Sequence, residues 1–294
     1  MSAHDSLSSG KGHTDENFPV ASFLIRKRHR AAILAFYRFA RAADDVADHP
    51  HAAPEKKLRL LDDMEQALTG ASRRSEVASA LQSELARNDL SRDHALDLLE
   101  AFRRDVTKLR YHSFDELMDY CRYSAMPVGR FVLDVHGESR TLWPLSDALC
   151  AALQIINHLQ DCGKDFQALN RVYLPLDMLE AAGADIATLG GEQSSPALKQ
   201  VIAALAARTC RMLTVSRPFA GGIADTRLGL EVSVIQRLAE DLSRNLTVRD
   251  PLCERVHHQK FDALRLSLAA AARYLVTRRS RPGTESPSTS IVRP

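Results

Sequence analysis

Residues Ile33–Asp48 read ILAFYRFARAADDVAD, and the spacing inside that stretch decides the fold class. At about 100° per residue, Phe36 shares a face with Ile33, Ala40, Ala43 and Ala47, with Phe39 and Val46 on its flank. This is the apolar stripe of an amphipathic helix. Tyr37, Arg41, Asp44 and Asp48 fall together in a second stripe, about 60° wide, that touches the first. Asp45 and Arg38 turn to the far side, where solvent is expected. Two carboxylates at i and i+4 repel, so the helix alone gains nothing from Asp44 and Asp48. A divalent cation reverses that balance, and carboxylate oxygens suit Mg²⁺ shared with substrate phosphate. The plain alternative is a solvated acidic turn whose carboxylates pair with nearby arginines, and an isolated DxxxD does not decide between the two.

A second acidic stretch sharpens the choice. Residues Leu149–Phe166 read LCAALQIINHLQDCGKDF. With Asp161 as reference, Gln154, Asn157, His158 and Asp165 lie within about 60° of it, and nearly all the remaining circumference is apolar. Such a helix is expected to be buried, and a buried stripe of two Asp, Gln, Asn and His is costly without partners. A network with arginines from neighbouring helices would satisfy it; so would a metal or phosphate site. Two helices facing each other across a cavity, each with an i/i+4 aspartate pair, would hold Mg²⁺ around a diphosphate and stabilise the charge that develops as a C–O bond ionises.

Outward from these two stretches, the 3.6-residue period recurs over Lys57–Leu68, Glu76–Arg87, Asp93–Leu109, Phe114–Val135, Ala197–Ser216, Leu228–Arg244 and Phe261–Thr277. The acidic helices themselves are expected to span Ala31–Val46 and Ser146–Phe166. Ser91 and Ser146 stand where N-caps belong. Pro127, inside an apolar helical pattern, must kink or split its helix. Pro175 and the stretch 182–196 mark a surface connection, and strand-like alternation is missing. The fold class is all-α, with residues 1–14 a disordered N-terminus, 15–277 a single domain and 278–294 a disordered tail.

Composition narrows the function. Net charge is +2 and charged residues make up 26% of 294, which offers no field for nucleic acid. Five dispersed cysteines without CxxC spacing read as free thiols. No run of about 18 apolar residues exists to span a membrane, and no signal-peptide pattern opens the chain; a cytoplasmic protein is expected. His112, His136, His257 and His258 lack zinc spacing, and Cys162 reads as packing. His158 shares the acidic stripe and would either orient a water or bond to an aspartate. In the last helix Leu264, Leu268, Ala271, Ala272 and Leu275 fall on one side, followed by Arg278, Arg279 and Arg281. Core packing with a basic tail is the first reading there; peripheral contact with an anionic inner membrane is the second.

FYRFARAADDVAD and QIINHLQDCGKDFQALNRVYLP resemble the two signatures of the squalene/phytoene synthase family, and YCRYSAMPVGR between them resembles its kinked central helix. The resemblance runs from about Glu16 to Leu275 and implies the isoprenoid synthase helical bundle around a central cavity. It implies Mg²⁺ binding by Asp44, Asp48, Asn157, Asp161 and Asp165, and diphosphate-side roles for Tyr37, Arg41, Arg171 and Tyr173. Tyr120 is implied near the cationic intermediates and Phe18 near the cavity entrance. Where the family usually carries an arginine before the second motif's first aspartate, this chain has Gln160, at the edge of the polar stripe. Loss of that cation would suit a substrate with a single diphosphate. The wording is most like the bacterial hydroxysqualene synthase branch, which implies conversion of presqualene diphosphate and water to hydroxysqualene and diphosphate. A sister presqualene diphosphate synthase and a downstream reductase are the implied partners. A head-to-head condensing synthase and a non-catalytic helical subunit are the alternatives.

Overall fold

The computed structural model describes residues 26–279. Thirteen α-helices are formed among them, with no strand beyond one isolated bridge between Arg110 and Val172. Each of the expected helices is present. Helices α1 (Lys27–Asp48), α2 (Pro54–Leu68), α3 (Glu76–Arg87) and α4 (Asp93–Thr107) pack on one another. They bury Phe36, Phe39, Leu61, Leu81, Leu98 and Leu99 in a first apolar cluster. Helices α5 (Phe114–Ser124), α6 (Met126–His136), α7 (Trp143–Gln160), α8 (Cys162–Leu169), α9 (Leu176–Ala182), α10 (Pro196–Ser216), α11 (Phe219–Gly222), α12 (Thr226–Leu246) and α13 (Lys260–Arg279) complete the chain. Most of these build a second cluster around Ile155, Ile156 and Leu159 of α7. Phe131 of α6 joins the first cluster by stacking on Phe36, centroids 3.9 Å apart. The five cysteines are unpaired.

Pro127 splits its helix as the pattern required: the chain leaves helical geometry at Ala125 (φ −122°, ψ −45°) and restarts as α6. Two boundaries of the second acidic helix differ from the sequence reading. Ser146 is no N-cap, because α7 begins earlier, at Trp143 with Pro144 in its first turn. The Ser146 side chain is buried inside the α6–α7 contact instead. A Cβ on Gly129 would come within 2.3 Å of its Oγ and 2.6 Å of Cys150 Sγ, so small residues set that close helix approach. The second acidic helix is interrupted at Asp161 (φ −106°, ψ 10°), dividing it into α7 and α8. Just beyond, Gly163 meets the 189 and 252 segments: a Cβ there would stand 2.6 Å from Leu252 Cδ2 and 3.3 Å from the Leu189 carbonyl.

The largest departure concerns α13. Core packing was expected from the side carrying Leu264, Leu268 and Leu275, yet these three are 57%, 62% and 43% exposed. Leu266, Ala270 and Tyr274, on the opposite side, enter the core. Gly229 of α12 receives the Tyr274 ring, since a Cβ would stand 2.1 Å from its hydroxyl oxygen. Among the described residues no helix is long and apolar enough to cross a membrane.

Candidate active site

The two apolar clusters meet at a polar seam, and its centre is Arg171. Helix α8 ends at Asn170, whose left-handed φ of 52° reverses the chain. The Arg171 N–H then donates to the Asp165 carbonyl at 3.1 Å, and Val172 N–H to the Leu109 carbonyl at 3.0 Å. This alignment along residues 109–112 aims Arg171 at α1. Its Nη1 donates to Asp48 Oδ1 at 2.6 Å, its Nη2 to the Ala47 carbonyl at 3.2 Å and its Nε to the Asp105 carbonyl at 3.0 Å. Three directed bonds from one buried guanidinium fix its plane. Burial works against the charge, but Asp105, Tyr173 and Asp48 hold the Arg171 pKa above its ordinary value.

Beneath Arg171 lies a residue that sequence reasoning missed. Asp105 of α4 is buried and accepts the Tyr120 hydroxyl at 2.9 Å on one oxygen and the Tyr173 hydroxyl at 2.8 Å on the other. Burial pushes its carboxyl up from 3.8 to about 6, against the opposing pull of Arg171. Burial, with the Asp105 charge next, also raises both phenols well above their ordinary range, so each keeps its proton and serves as a donor. A signal was available: His94, Leu98, Ala101 and Asp105 follow one another at helical spacing and are all buried. A carboxylate continuing an apolar row marks a partnered acid. Lys57 was missed as well; its Nζ donates to the Ala47 carbonyl at 2.9 Å, beside Arg171.

The same hub reaches the second acidic stretch. The His158 ring stacks on Tyr173 with centroids 3.5 Å apart and planes 14° from parallel. Gln154 Nε2 donates to its Nε2 at 3.0 Å, and its Nδ1 stands 4.0 Å from Asp165 Oδ2. Burial, with the Arg171 charge next, lowers the His158 pKa to about 3, so the imidazole is neutral. Asp48 is thus bonded to Arg171 directly, Tyr120 and Tyr173 join them through Asp105, and Asp165 adjoins Tyr173 through His158.

The other predicted residues stand around this hub. Asp44, its side chain 35% exposed, accepts from Arg41 Nη1 at 3.2 Å. Arg41 Nη2 reaches Asp45 at 3.1 Å, so Asp45, expected to face solvent, is more covered than Asp44 at 15%. Asp161, 38% exposed, accepts from Lys164 Nζ at 2.8 Å. Tyr37 and Asn157 are half-buried on α1 and α7, and the Asn157 carbonyl accepts from the Asp161 N–H at 3.0 Å. Gln160 departs from its predicted place at the edge of the polar stripe. It is buried and donates to the Val256 carbonyl, tying α7 to the segment before α13. Phe18 lies outside the described residues. Among those residues, no group of three or more His, Cys, Asp and Glu side chains is gathered closely enough to hold a metal ion.

The described residues thus form an all-α bundle that carries an aspartate pair on each of two helical stretches, with Arg41 and Arg171 beside the first. The family profile described as squalene/phytoene synthase matches residues 11–268. A hydroxysqualene synthase from Zymomonas mobilis is 57% identical over 268 residues, 90% of each chain. Another, from Rhodopseudomonas palustris, is 55% identical over 278 residues, 95% of each chain. Among solved structures, squalene synthase HpnC from Alicyclobacillus acidocaldarius superposes with a TM-score of 0.69 at 30% identity, covering 80% of this chain and 89% of the other. The chain belongs to the squalene/phytoene synthase family, whose enzymes process prenyl diphosphates.

Proposed function

We propose that this chain ionises presqualene diphosphate, lets the cyclopropylcarbinyl cation rearrange and captures it with water, releasing hydroxysqualene and diphosphate. That is carbon–oxygen lyase chemistry without a reductant. The observation that carries it is the Arg171 hub, which links Asp48 of the first acidic helix, through Asp105, Tyr173 and His158, to Asp165 of the second. The relatives named as hydroxysqualene synthases favour this substrate over others of the family.

Mg²⁺ fits the donors present. Asp44, Asp48, Asn157, Asp161 and Asp165 offer only oxygens in addition to the Asn157 amide nitrogen, and Asp44 and Asp161 are about one-third exposed. An ion held by these residues would complete its shell with phosphate oxygens and water. Bound Mg²⁺ would supply Lewis-acid stabilisation of the departing diphosphate. Arg41 and Arg171 add cationic donors on the diphosphate side, with Tyr37 beside Arg41 on α1. Asp48 and Asp105 hold Arg171 in one orientation. Tyr120 and Tyr173 direct their hydroxyls into Asp105, and their rings pack against Tyr111 and His158, so they brace the hub beside the hydrocarbon cation and offer it no open ring face. Neutral His158 carries no positive charge to repel that cation.

The condensing alternative needs a grip on two diphosphates. Gln160 supplies no charge and is committed to the Val256 carbonyl, which favours a substrate with one. A sister synthase making presqualene diphosphate and a reductase consuming the alcohol would be the neighbouring enzymes. The test is turnover of the purified chain with presqualene diphosphate and with farnesyl diphosphate. Product from the first alone supports the lyase; product from the second alone supports the condensing enzyme. Asp44→Asn and Asp161→Asn should each abolish turnover with melting unchanged, and full activity of either in excess Mg²⁺ refutes the assignment. If Mg²⁺ with diphosphate gives no thermal stabilisation, a non-catalytic subunit becomes the better reading.

A further inference from the structure

Helix α13 carries two apolar rows, and the core uses one. Leu266, Ala270 and Tyr274 point inward, 4%, 6% and 5% exposed. On the opposite side Phe261, Leu264, Leu268 and Leu275 form an outward row, with Phe261 the most open at 76%. At about 100° per residue these four fall within a sector of roughly 60°, and they extend over about 21 Å of helix. Isolated exposed leucines need no explanation, but a contiguous row of this length marks a docking surface.

The flanks indicate what it docks on. Lys260 borders the row on one edge and Arg265 on the other, and both are exposed, as is Arg273 further round. Asp262 is the single acid of the helix, 3.9 Å from Arg265. Arg278 is turned inward, donating to the carbonyls of Ile223 and Ala224 and to the Tyr274 hydroxyl, which clamps the end of α13 to the body. A rigidly held helix with an apolar outer row and basic edges is the pattern of an interfacial helix. A second copy of the chain is the weaker occupant. The row offers roughly 450 Å², below the ~800 Å² per partner of a stable interface, and pairing would bring basic edges together.

We infer that the outer face of α13 is a lipid-docking surface: Phe261, Leu264, Leu268 and Leu275 enter the headgroup–acyl boundary of an anionic bilayer, and Lys260 and Arg265 engage lipid phosphates. This goes beyond the proposed reaction and does not depend on it. The test is co-sedimentation of the full chain with vesicles of phosphatidylcholine alone and with about 30% phosphatidylglycerol, as a function of salt. The wild type should bind the anionic vesicles, bind neutral ones more weakly and lose affinity as salt rises. Leu264→Gln with Leu268→Gln should reduce binding at least about tenfold, with an unchanged melting temperature because both side chains already face water. Arg265→Gln should cost roughly fivefold on anionic vesicles and little on neutral ones. The inference is overturned if the wild type ignores anionic vesicles or if the double variant binds them equally well. It is also overturned if the wild type runs as a dimer that the double variant breaks, which would assign the face to a second copy.

Discussion

Replacing Asp105 by Asn removes a buried charge while keeping a side chain of the same shape between Tyr120 and Tyr173. The rise of the Asp105 carboxyl from 3.8 to about 6 corresponds to roughly 3 kcal/mol against its ionised form in the folded protein. The sign follows from proton binding. Between about pH 4 and pH 6 the folded chain keeps a proton that the unfolded chain has released, so stability falls as pH rises through that window. From about pH 4.5 to about pH 7.5 the loss through Asp105 alone amounts to about 2 kcal/mol. Other carboxylates titrate in the same range, but they do so equally in both proteins, and the difference between wild type and variant isolates Asp105. The assay is urea unfolding of both proteins at several pH values within that range. Stability of Asp105→Asn relative to wild type should rise by about 2 kcal/mol from the acid to the neutral end. Parallel pH profiles would mean that Asp105 is not a desolvated acid and that the hub is more solvated than its burial indicates.

Arg171→Met should cost about 3–5 kcal/mol, because it leaves Asp48 and Asp105 buried without their cation; Arg41→Met, at a site one-quarter exposed, should cost less than about 1 kcal/mol. Melting curves of the two variants check the contrast. Gly129→Ala should destabilise by about 1–3 kcal/mol, since its Cβ would collide with Ser146 and Cys150 across the α6–α7 contact, and the same substitution with Ser146→Gly should recover part of the loss.

The helices were legible wherever an apolar row repeats, and this covers all nine expected runs. Pro127 marked the α5–α6 break because a missing donor is a local fact. The interruption at Asp161 was not legible, since it arises where Gly163 passes close to Leu252 and the Leu189 carbonyl, neighbours set by the tertiary fold. Helix α1 begins at Lys27 rather than Ala31 because Lys27, Arg28, His29 and Arg30 give no apolar period. For α13 the pattern was ambiguous in principle. Its two rows are both periodic, and which one meets α12 depends on the Gly229 seat for Tyr274.

The aspartates, Arg171 and the tyrosines were visible as residue types in motifs, while their wiring was not. Asp48 and Arg171 are separated by 123 positions, and nothing local pairs them. Asp105 could have been found from its place on the buried row of α4. Gln160 was read from helix angle alone, and the break after it, together with the Val256 carbonyl, turns it away from the predicted role.

The central claim is that this site ionises one prenyl diphosphate and gives the cation to water. Incubating the purified chain with presqualene diphosphate and Mg²⁺ in ¹⁸O-labelled water, followed by mass spectrometry of the product, tests it most directly. The expected product is a C30 alcohol with one ¹⁸O atom, formed with release of diphosphate. An unlabelled alcohol, or a hydrocarbon as the main product, would contradict it.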